Sequence, residues 1–289
     1  MPSKEERRKA AEKHIGLIRG VFAKQVKASL DAAIVYEDGD GRSLDVPEAR
    51  FETTQVRIAQ TGAERAVVQA KGNAAVVDPA SYRRPGSGYA NGAATVEAML
   101  CASSSLYPVL EGLKERFYDV NRDDTRGELY SDRAVFLPDI VFTEGSVVHR
   151  AVVVCAPPDK NRALEHHRPQ AEIEGDLAHR VETVMRVAAA NGVDTLVVPP
   201  FGCGALGNDP ALVAQLFKEW IEAHPGVFEE VVFAIPRGAF SDAFASVIGD
   251  ADENAKAAAQ AAAAEKSAEA DAEDDEDDED WRNYMTSGE

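Results

Sequence analysis

The chain has 289 residues, 45% of them hydrophobic and 28% charged, with a formal net charge of −19. That is enough apolar material for one large core or two small ones. The negative charge is uneven: fifteen acids and three bases follow from Asp250 onward, so the body is only mildly acidic and bulk charge argues against a direct nucleic-acid partner. No apolar run approaches the ~20 residues of a membrane helix. The charged start Met1–Arg8 lacks the apolar stretch of a secretory leader. A cytoplasmic protein without membrane contact is expected, nuclear if the source is eukaryotic. Cys101, Cys155 and Cys203 are far apart, lack metal-ligand spacing and suit a reducing compartment. Neither a metal nor a cofactor is expected.

Apolar residues Ile15, Ile18, Phe22, Val26 and Leu30, spaced by three and four, predict helix from about Lys4 to Ile34. Asp38-Gly39-Asp40-Gly41 signals a turn. Gln55 to Ala59 alternates and reads as a strand, Gly62 to Lys71 as a short helix, and Ala74 to Asp78 as a buried strand. Thr95 to Leu113 predicts a helix broken near Pro108, and Phe117 to Asp132 a polar loop. Two short β segments follow at Ala134–Leu137 and Ile140–Thr143, then Ala151–Cys155, an apolar run suited to a central parallel strand. A long helix fits Ile173 to Ala190 and stops at Asn191-Gly192. Leu196–Val198 is the next strand, and Asp209-Pro210 opens a helix through Glu222 with proline in the first turn. Val231–Ile235 is the last buried strand, and a short helix covers Phe240 to Ile248. From Asp250 an alanine-rich run and the acidic run Asp271–Asp280 predict a disordered tail. That tail, ending in Trp281-Arg282-Asn283-Tyr284-Met285, suits contact with a basic protein or simple solvation.

Alternating valine-rich strands and helices argue for an α/β domain with helices on both faces. Two glycine-rich loops, Pro85–Gly92 and Phe201–Asn208, each leave the C-terminal end of a strand. Open α/β sheets bind ligands at that edge, where glycine lets backbone approach a phosphate and helix N-termini present N–H groups. Arg83-Arg84, just before the first loop, either meet a phosphate or sit on the surface. Cys203 between two glycines reads as a small residue filling a tight turn, and His166, His167 and His179 as solvated residues rather than metal ligands.

These pieces resemble the microbial-type poly(ADP-ribose) glycohydrolases, which are macrodomains. The resemblance rests on Asp78-Pro79-Ala80-Ser81, Pro85-Gly86-Ser87-Gly88, Val96-Glu97-Ala98 and Ser103-Ser104-Ser105-Leu106-Tyr107. It continues through Tyr130-Ser131-Asp132, Pro138-Asp139, Cys155-Ala156-Pro157, Phe201–Gly204 and Gly207–Pro210, covering roughly Lys13 to Pro236. It implies a three-layer α/β/α sandwich with a mixed, mostly parallel sheet. It divides the chain into an N-terminal helical extension (1–50) packed on the domain, a macrodomain-like domain (51–249) and a low-complexity tail (250–289). It also implies hydrolysis of the ribose–ribose bond of ADP-ribose chains, with the second Glu of a Gln-Glu-Glu motif as acid/base and the loops holding the diphosphate. The ligand is then ADP-ribose or an ADP-ribosylated protein. Asp78, Gly86, Ser87, Gly88, Tyr89, Gly202, Cys203, Gly204, Ala205, Leu206 and Asn208 become its binding residues.

The departures fall at those same positions. Gln-Glu-Glu is Val96-Glu97-Ala98 here, so Ala98 stands where the catalytic Glu is expected and Glu97 is the one Glu retained. Ser87 replaces the middle glycine, Asp78 a ribose-binding Asn, Pro158 an Asn, Leu206 an aromatic, and Pro199-Pro200 a small flexible pair. The expected protein keeps the fold and binds ADP-ribose or a related nucleotide, with hydrolysis lost or strongly reduced. The alternatives are a hydrolase using Glu97 or Asp78 as substitute acid, and a non-enzymatic scaffold. Glu97 lies about 100° around the helix from position 98, which argues against simple replacement.

Overall fold

A computed structural model describes residues 2–249 of the chain; the tail expected to be disordered lies outside the described residues. In chain order the elements are α1 (Lys4–Val21), α2 (Ala23–Asp31), β1 (Ile34–Tyr36), α3 (Asp40–Ser43), β2 (Gln55–Ala59), α4 (Ala63–Gln69) and β3 (Ala74–Pro79). A 3₁₀ turn (Pro85–Asn91) then leads to α5 (Val96–Ala102) and α6 (Leu106–Gly112). A π turn (Lys114–Asp119), α7 (Val120–Asp123) and a second 3₁₀ turn (Arg126–Glu128) precede β4 (Ala134–Phe142) and β5 (Val148–Cys155). The remainder is α8 (Lys160–Glu165), α9 (Gln170–Ala190), β6 (Thr195–Val198), α10 (Pro210–Ala223), β7 (Glu230–Ala234) and α11 (Ser241–Ile248).

The strands form one seven-stranded sheet in the order β1-β4-β5-β3-β6-β7-β2. β2, β7, β6, β3 and β5 run parallel, and β4 and β1 close the other edge antiparallel. Side chains alternate along each strand. Val77, Val153, Val198 and Phe233 therefore pack with α9, α10 and α11, while Val76, Val152, Val197 and Val232 pack with α4, α5 and α6. Each fully buried side chain of this size contributes about 1.5–3 kcal/mol, so two cores on one sheet hold the domain. The first 50 residues supply α1 and α2 and also enter the domain itself. β1 pairs with β4, and α3 packs on α9. Among the described residues no helix is long and apolar enough to cross a membrane, and no cluster of His, Cys, Asp and Glu is suited to a metal.

Several local expectations are corrected. The single helix expected at Lys4–Ile34 is two, parted at Phe22, and Ile34 opens β1 instead. The break expected near Pro108 falls at Ser103–Ser105. Proline at 108 lies in the first turn of α6, where its missing N–H costs nothing. The serines end α5 because Ser105 pairs with Val141 through both backbone and hydroxyl, at 2.8 and 3.0 Å, and Ser104 bridges Phe142. The two β segments after Ala134 are one strand with an irregularity between Leu137 and Ile140, where Pro138 has no N–H to give the ladder. β5 is parallel to β3 on one side only. The expected loop at Phe117–Asp132 contains the turns named above, and Phe117 and Tyr118 within it are fully buried.

Candidate functional site

β3 and β6 are adjacent and parallel, so the loops that leave them meet at one edge of the sheet. Between them lies a cleft of about 500 Å³. Ser87 lines it from the first loop, and Gly202, Gly204, Ala205 and Leu206 line it from the second. It adjoins an apolar pocket of about 430 Å³ that includes Glu64, Met99 and Phe240; the two share Ala94, Thr95, Val96 and Pro200.

The first loop is left-handed at three successive residues: Gly86 (φ 69°), Ser87 (φ 47°) and Gly88 (φ 85°). A Cβ on Gly86 would lie 2.6 Å from the Tyr107 ring, so glycine is required there. Ser87 holds a conformation that costs a non-glycine residue on the order of 1 kcal/mol. The loop is tied down from both sides. From α1, Arg7 Nε donates to Gly92 O at 2.9 Å, and His14 Nδ1 lies 2.9 Å from the Tyr89 hydroxyl. From α5, the Glu97 carboxylate accepts the Ser81 N–H at 2.7 Å on one oxygen and the Gly86 N–H at 2.8 Å on the other. Glu97 thus fills, from beneath, a role that an external anion has in other glycine-rich loops.

Asp78, at the end of β3, is fully buried, and neither of its oxygens has a hydrogen-bond partner. Burial pushes its carboxyl up to about 8. Burial and then the neighbouring Asp78 charge raise Glu97 well above the carboxylate range, against its two N–H bonds. Two adjacent buried carboxylates do not both ionise readily. The pair holds a proton at neutral pH, and the unpartnered Asp78 is its better place. The Tyr118 hydroxyl and the Cys101 thiol, both buried, are raised by burial and by the same two carboxylates. Ala98 is also buried, in the apolar cluster that contains Ala80, Tyr89 and Leu100. On α5, Val96 and Met99 reach the clefts, while Glu97 and Ala98 turn inward.

The second loop is held differently. Gly202 has φ 73°, and a Cβ there would meet the Asn208 amide at 2.5 Å. That amide donates to Pro158 O at 2.9 Å and to Gly202 O at 3.2 Å. Cys203, Gly207 and Asn208 spend their N–H groups on carbonyls of the loop. The N–H groups of Gly204, Ala205 and Leu206 have no acceptor among the described residues. These three residues line the cleft, and successive backbone N–H groups in a turn are one way to bind an anion.

A third wall comes from residues the sequence does not bring together. Tyr82, Arg83, Arg84, Tyr130, Asp159 and Arg162 line the same cleft. Tyr82 and Tyr130 stack with ring centroids 4.2 Å apart. The buried Arg180 guanidinium fixes this wall by donating to Ala156 O, Leu129 O and Tyr130 O at 2.7–3.1 Å. Asp159 caps α8 by accepting the Arg162 N–H at 3.1 Å, and burial raises its carboxyl.

Of the residues expected from sequence, Ser87, Gly202, Gly204, Ala205 and Leu206 line the cleft. Asp78, Glu97, Gly86, Tyr89, Cys203 and Asn208 are buried in its supporting structure, and Gly88 belongs to the turn that shapes it. Burial pushes the Cys203 thiol up to about 12, so it remains a neutral packing group. Arg83 and Arg84, ambiguous in the sequence, both face the cleft. Tyr130 belongs to a matched motif without a binding role expected for it, and Asp159 and Arg162 carry no sequence signal for a site beyond their proximity to such motifs.

Comparison with known proteins agrees with this geometry. The family model "Microbial-type PARG, catalytic domain" matches residues 17–144. No curated protein matches the chain. The poly(ADP-ribose) glycohydrolase of Thermomonospora curvata superposes with a TM-score of 0.74 at 26% identity, over 84% of this chain and 99% of that one. The same enzyme bound to the inhibitor ADP-HPD gives 0.72 at 27% identity, over 84% and 99%. The Deinococcus radiodurans enzyme in complex with ADP-ribose gives 0.68 at 25% identity, over 76% and 96%. In its sequence motifs, and in the fold of most of its length, the chain is similar to the microbial-type poly(ADP-ribose) glycohydrolases.

Proposed function

We propose that the chain binds ADP-ribose, free or on a modified protein, in the cleft between its two loops, and that its glycohydrolase activity is lost or strongly reduced. One observation carries the binding half: Gly204, Ala205 and Leu206 line the same cleft as Ser87, and their N–H groups have no acceptor among the described residues. The adjoining apolar pocket suits a purine base, with Glu64 among its lining residues as an acceptor for an exocyclic amine. The related enzymes solved with ADP-ribose and with ADP-HPD support the same ligand class.

The catalytic half rests on what the cleft wall contains. Glycosidic hydrolysis needs a carboxyl group within hydrogen-bond reach of the leaving oxygen. Position 98 is alanine, and Glu97 and Asp78 lie beneath the cleft, with both Glu97 oxygens held by the backbone. Asp159 is the acid among the residues lining the larger cleft, and it is engaged as a helix cap. Loss of a general acid removes about 10²–10⁴ in rate.

Calorimetry with ADP-ribose beside a hydrolysis assay on poly(ADP-ribose) tests both halves. Saturable binding without turnover above the uncatalysed control is expected. No binding at millimolar ligand rejects the nucleotide reading and leaves a scaffold. Turnover that disappears in Asp159→Asn rejects the inactive reading, and turnover that disappears in Glu97→Gln restores the substitute-acid alternative.

A further inference from the structure

Glu128 is a buried acid with two arginines. Its carboxylate takes Arg83 Nη2 at 2.5 Å and the Tyr130 hydroxyl at 2.9 Å, and Arg162 Nη1 lies 3.4 Å away. Its side chain is 4% exposed, whereas those of Arg83 and Arg162, which line the cleft, are 30% and 48% exposed. Arg84 beside them is exposed and has no bonded acceptor among the described residues. Two guanidiniums therefore meet one buried carboxylate, and the third, Arg84, lines the same cleft as the helix-capping Asp159. Each guanidinium carries five donors, and Arg83 and Arg162 leave most of theirs unspent.

The backbone that presents Glu128 is strained. Arg126 (φ 49°), Gly127 (φ 64°), Glu128 (φ 71°) and Tyr130 (φ 65°) are left-handed. Such residues persist where the surroundings over-determine them, often at ligand sites. Here the surroundings are the Arg180 bonds, the Tyr82–Tyr130 stack and Arg83 Cζ 5.9 Å from the Tyr130 ring. A surface salt bridge alone needs no such scaffold. None of these arginines lines the apolar pocket suited to the base, nor does any of them belong to the loops that face each other across the cleft.

We propose that Arg83, Arg84 and Arg162 form a second anion subsite, which takes a phosphate or diphosphate beyond the one held between the loops. Resting on the ADP-ribose reading, it makes the cleft selective for ligands that carry further phosphate over ADP-ribose itself. Arginine forks suit phosphate bidentately.

The test uses the full chain, Arg83→Gln and the double variant Arg84→Gln/Arg162→Gln, whose two sites are solvent-exposed and leave Glu128 with Arg83. Binding is measured for ADP-ribose, for purified poly(ADP-ribose) and for inorganic pyrophosphate. The polymer is expected to bind the unmodified chain on the order of tenfold more tightly than ADP-ribose. Both variants should abolish that advantage by weakening the polymer more than ADP-ribose, and the salt dependence of polymer binding should become shallower. A polymer advantage that is absent from the unmodified chain, or that survives in the double variant, overturns the subsite. Failure of ADP-ribose to bind would sink the functional reading instead. The subsite is then judged by pyrophosphate: loss in the double variant supports it, and equal or absent binding in both proteins overturns it.

Discussion

The two glycine-rich loops face one cleft and are held in opposite senses. The first is gripped by a carboxylate: Glu97 takes the N–H groups of Ser81 and Gly86. The second is gripped by an amide: Asn208 gives its N–H groups to the carbonyls of Pro158 and Gly202. An anchor that accepts consumes the donors an incoming phosphate would need; an anchor that donates leaves them free. On the proposed reading, the contrast assigns the second loop, with its N–H groups at Gly204–Leu206, the larger share of anion binding. The first loop becomes a wall whose shape matters more than its hydrogen bonds.

Three substitutions at or beside its anchors attack that contrast, in decreasing order of effect. Ala98→Glu places a carboxylate in the apolar cluster around Ala80, Tyr89 and Leu100. Overpacking and an unpaired buried charge should cost about 3 kcal/mol or more. Denaturant titration reads the loss, and no chain hydrolysis is expected to appear. Restored turnover in a stable Ala98→Glu protein would show that position 98 reaches the cleft. Glu97→Gln leaves one acceptor oxygen for two N–H groups, and the amide NH₂ confronts the other. A loss of about 2–3 kcal/mol is expected from a charge-assisted bond broken in a buried site. Asn208→Ala removes the amide that ties Gly202 of the second loop to Pro158 and should cost about 1–2 kcal/mol. If the second loop dominates binding, this weaker lesion lowers ADP-ribose affinity more than Glu97→Gln does among the molecules that remain folded. The reverse ranking would transfer the phosphate to the first loop.

Asp78→Asn tests the proton beneath the first loop. In the unfolded chain both carboxyls ionise near pH 4, whereas the native pair keeps a proton until about 8 at Asp78. Between these values the unfolded state binds fewer protons, so stability falls as pH rises. The contribution is full below the unfolded value and is lost as pH passes through the native one. Chemical denaturation between pH 5 and 8.5 should show that decline in the unmodified chain and a flatter profile in Asp78→Asn. Parallel profiles would place the shared proton elsewhere.

Much of this architecture is written locally. Short valine-rich runs bounded by glycine and proline, such as Ala74–Asp78 and Val231–Ile235, mark buried strands, and the loops after them follow in order. What stayed hidden is set by distant partners. The helix break belongs to Ser104 and Ser105 because β4 offers Phe142 and Val141 to pair with, which no local propensity encodes. The same holds at the site. Motif spacing identifies Glu97 and Asp78 but not the side of the sheet edge on which their carboxylates end. The arginine wall assembles from residues 83, 84 and 162 around an acid at 128, held by a buried arginine at 180. Left-handed Ser87, Glu128 and Tyr130 run against residue preference, so sequence reasoning fails where the cleft is built.

The smallest expected effect bears most directly on what the first loop does. Glycine at 87 relieves a left-handed backbone but enlarges the unfolded ensemble, and these terms are each about 0.4–1 kcal/mol and opposed. Ser87→Gly should therefore move stability by less than about 0.5 kcal/mol while clearing a hydroxymethyl group from the cleft wall. ADP-ribose should then bind a few-fold more tightly. The matching change on the other loop is Gly204→Ser, where an added Cβ meets nothing within 4 Å; the fold should accept it, and binding should weaken because the side chain enters beside the unspent N–H groups. Calorimetry on the pair reads the contrast directly. If Ser87→Gly weakens binding instead, the hydroxyl is a ligand contact, and the first loop recognises the nucleotide rather than merely bounding it.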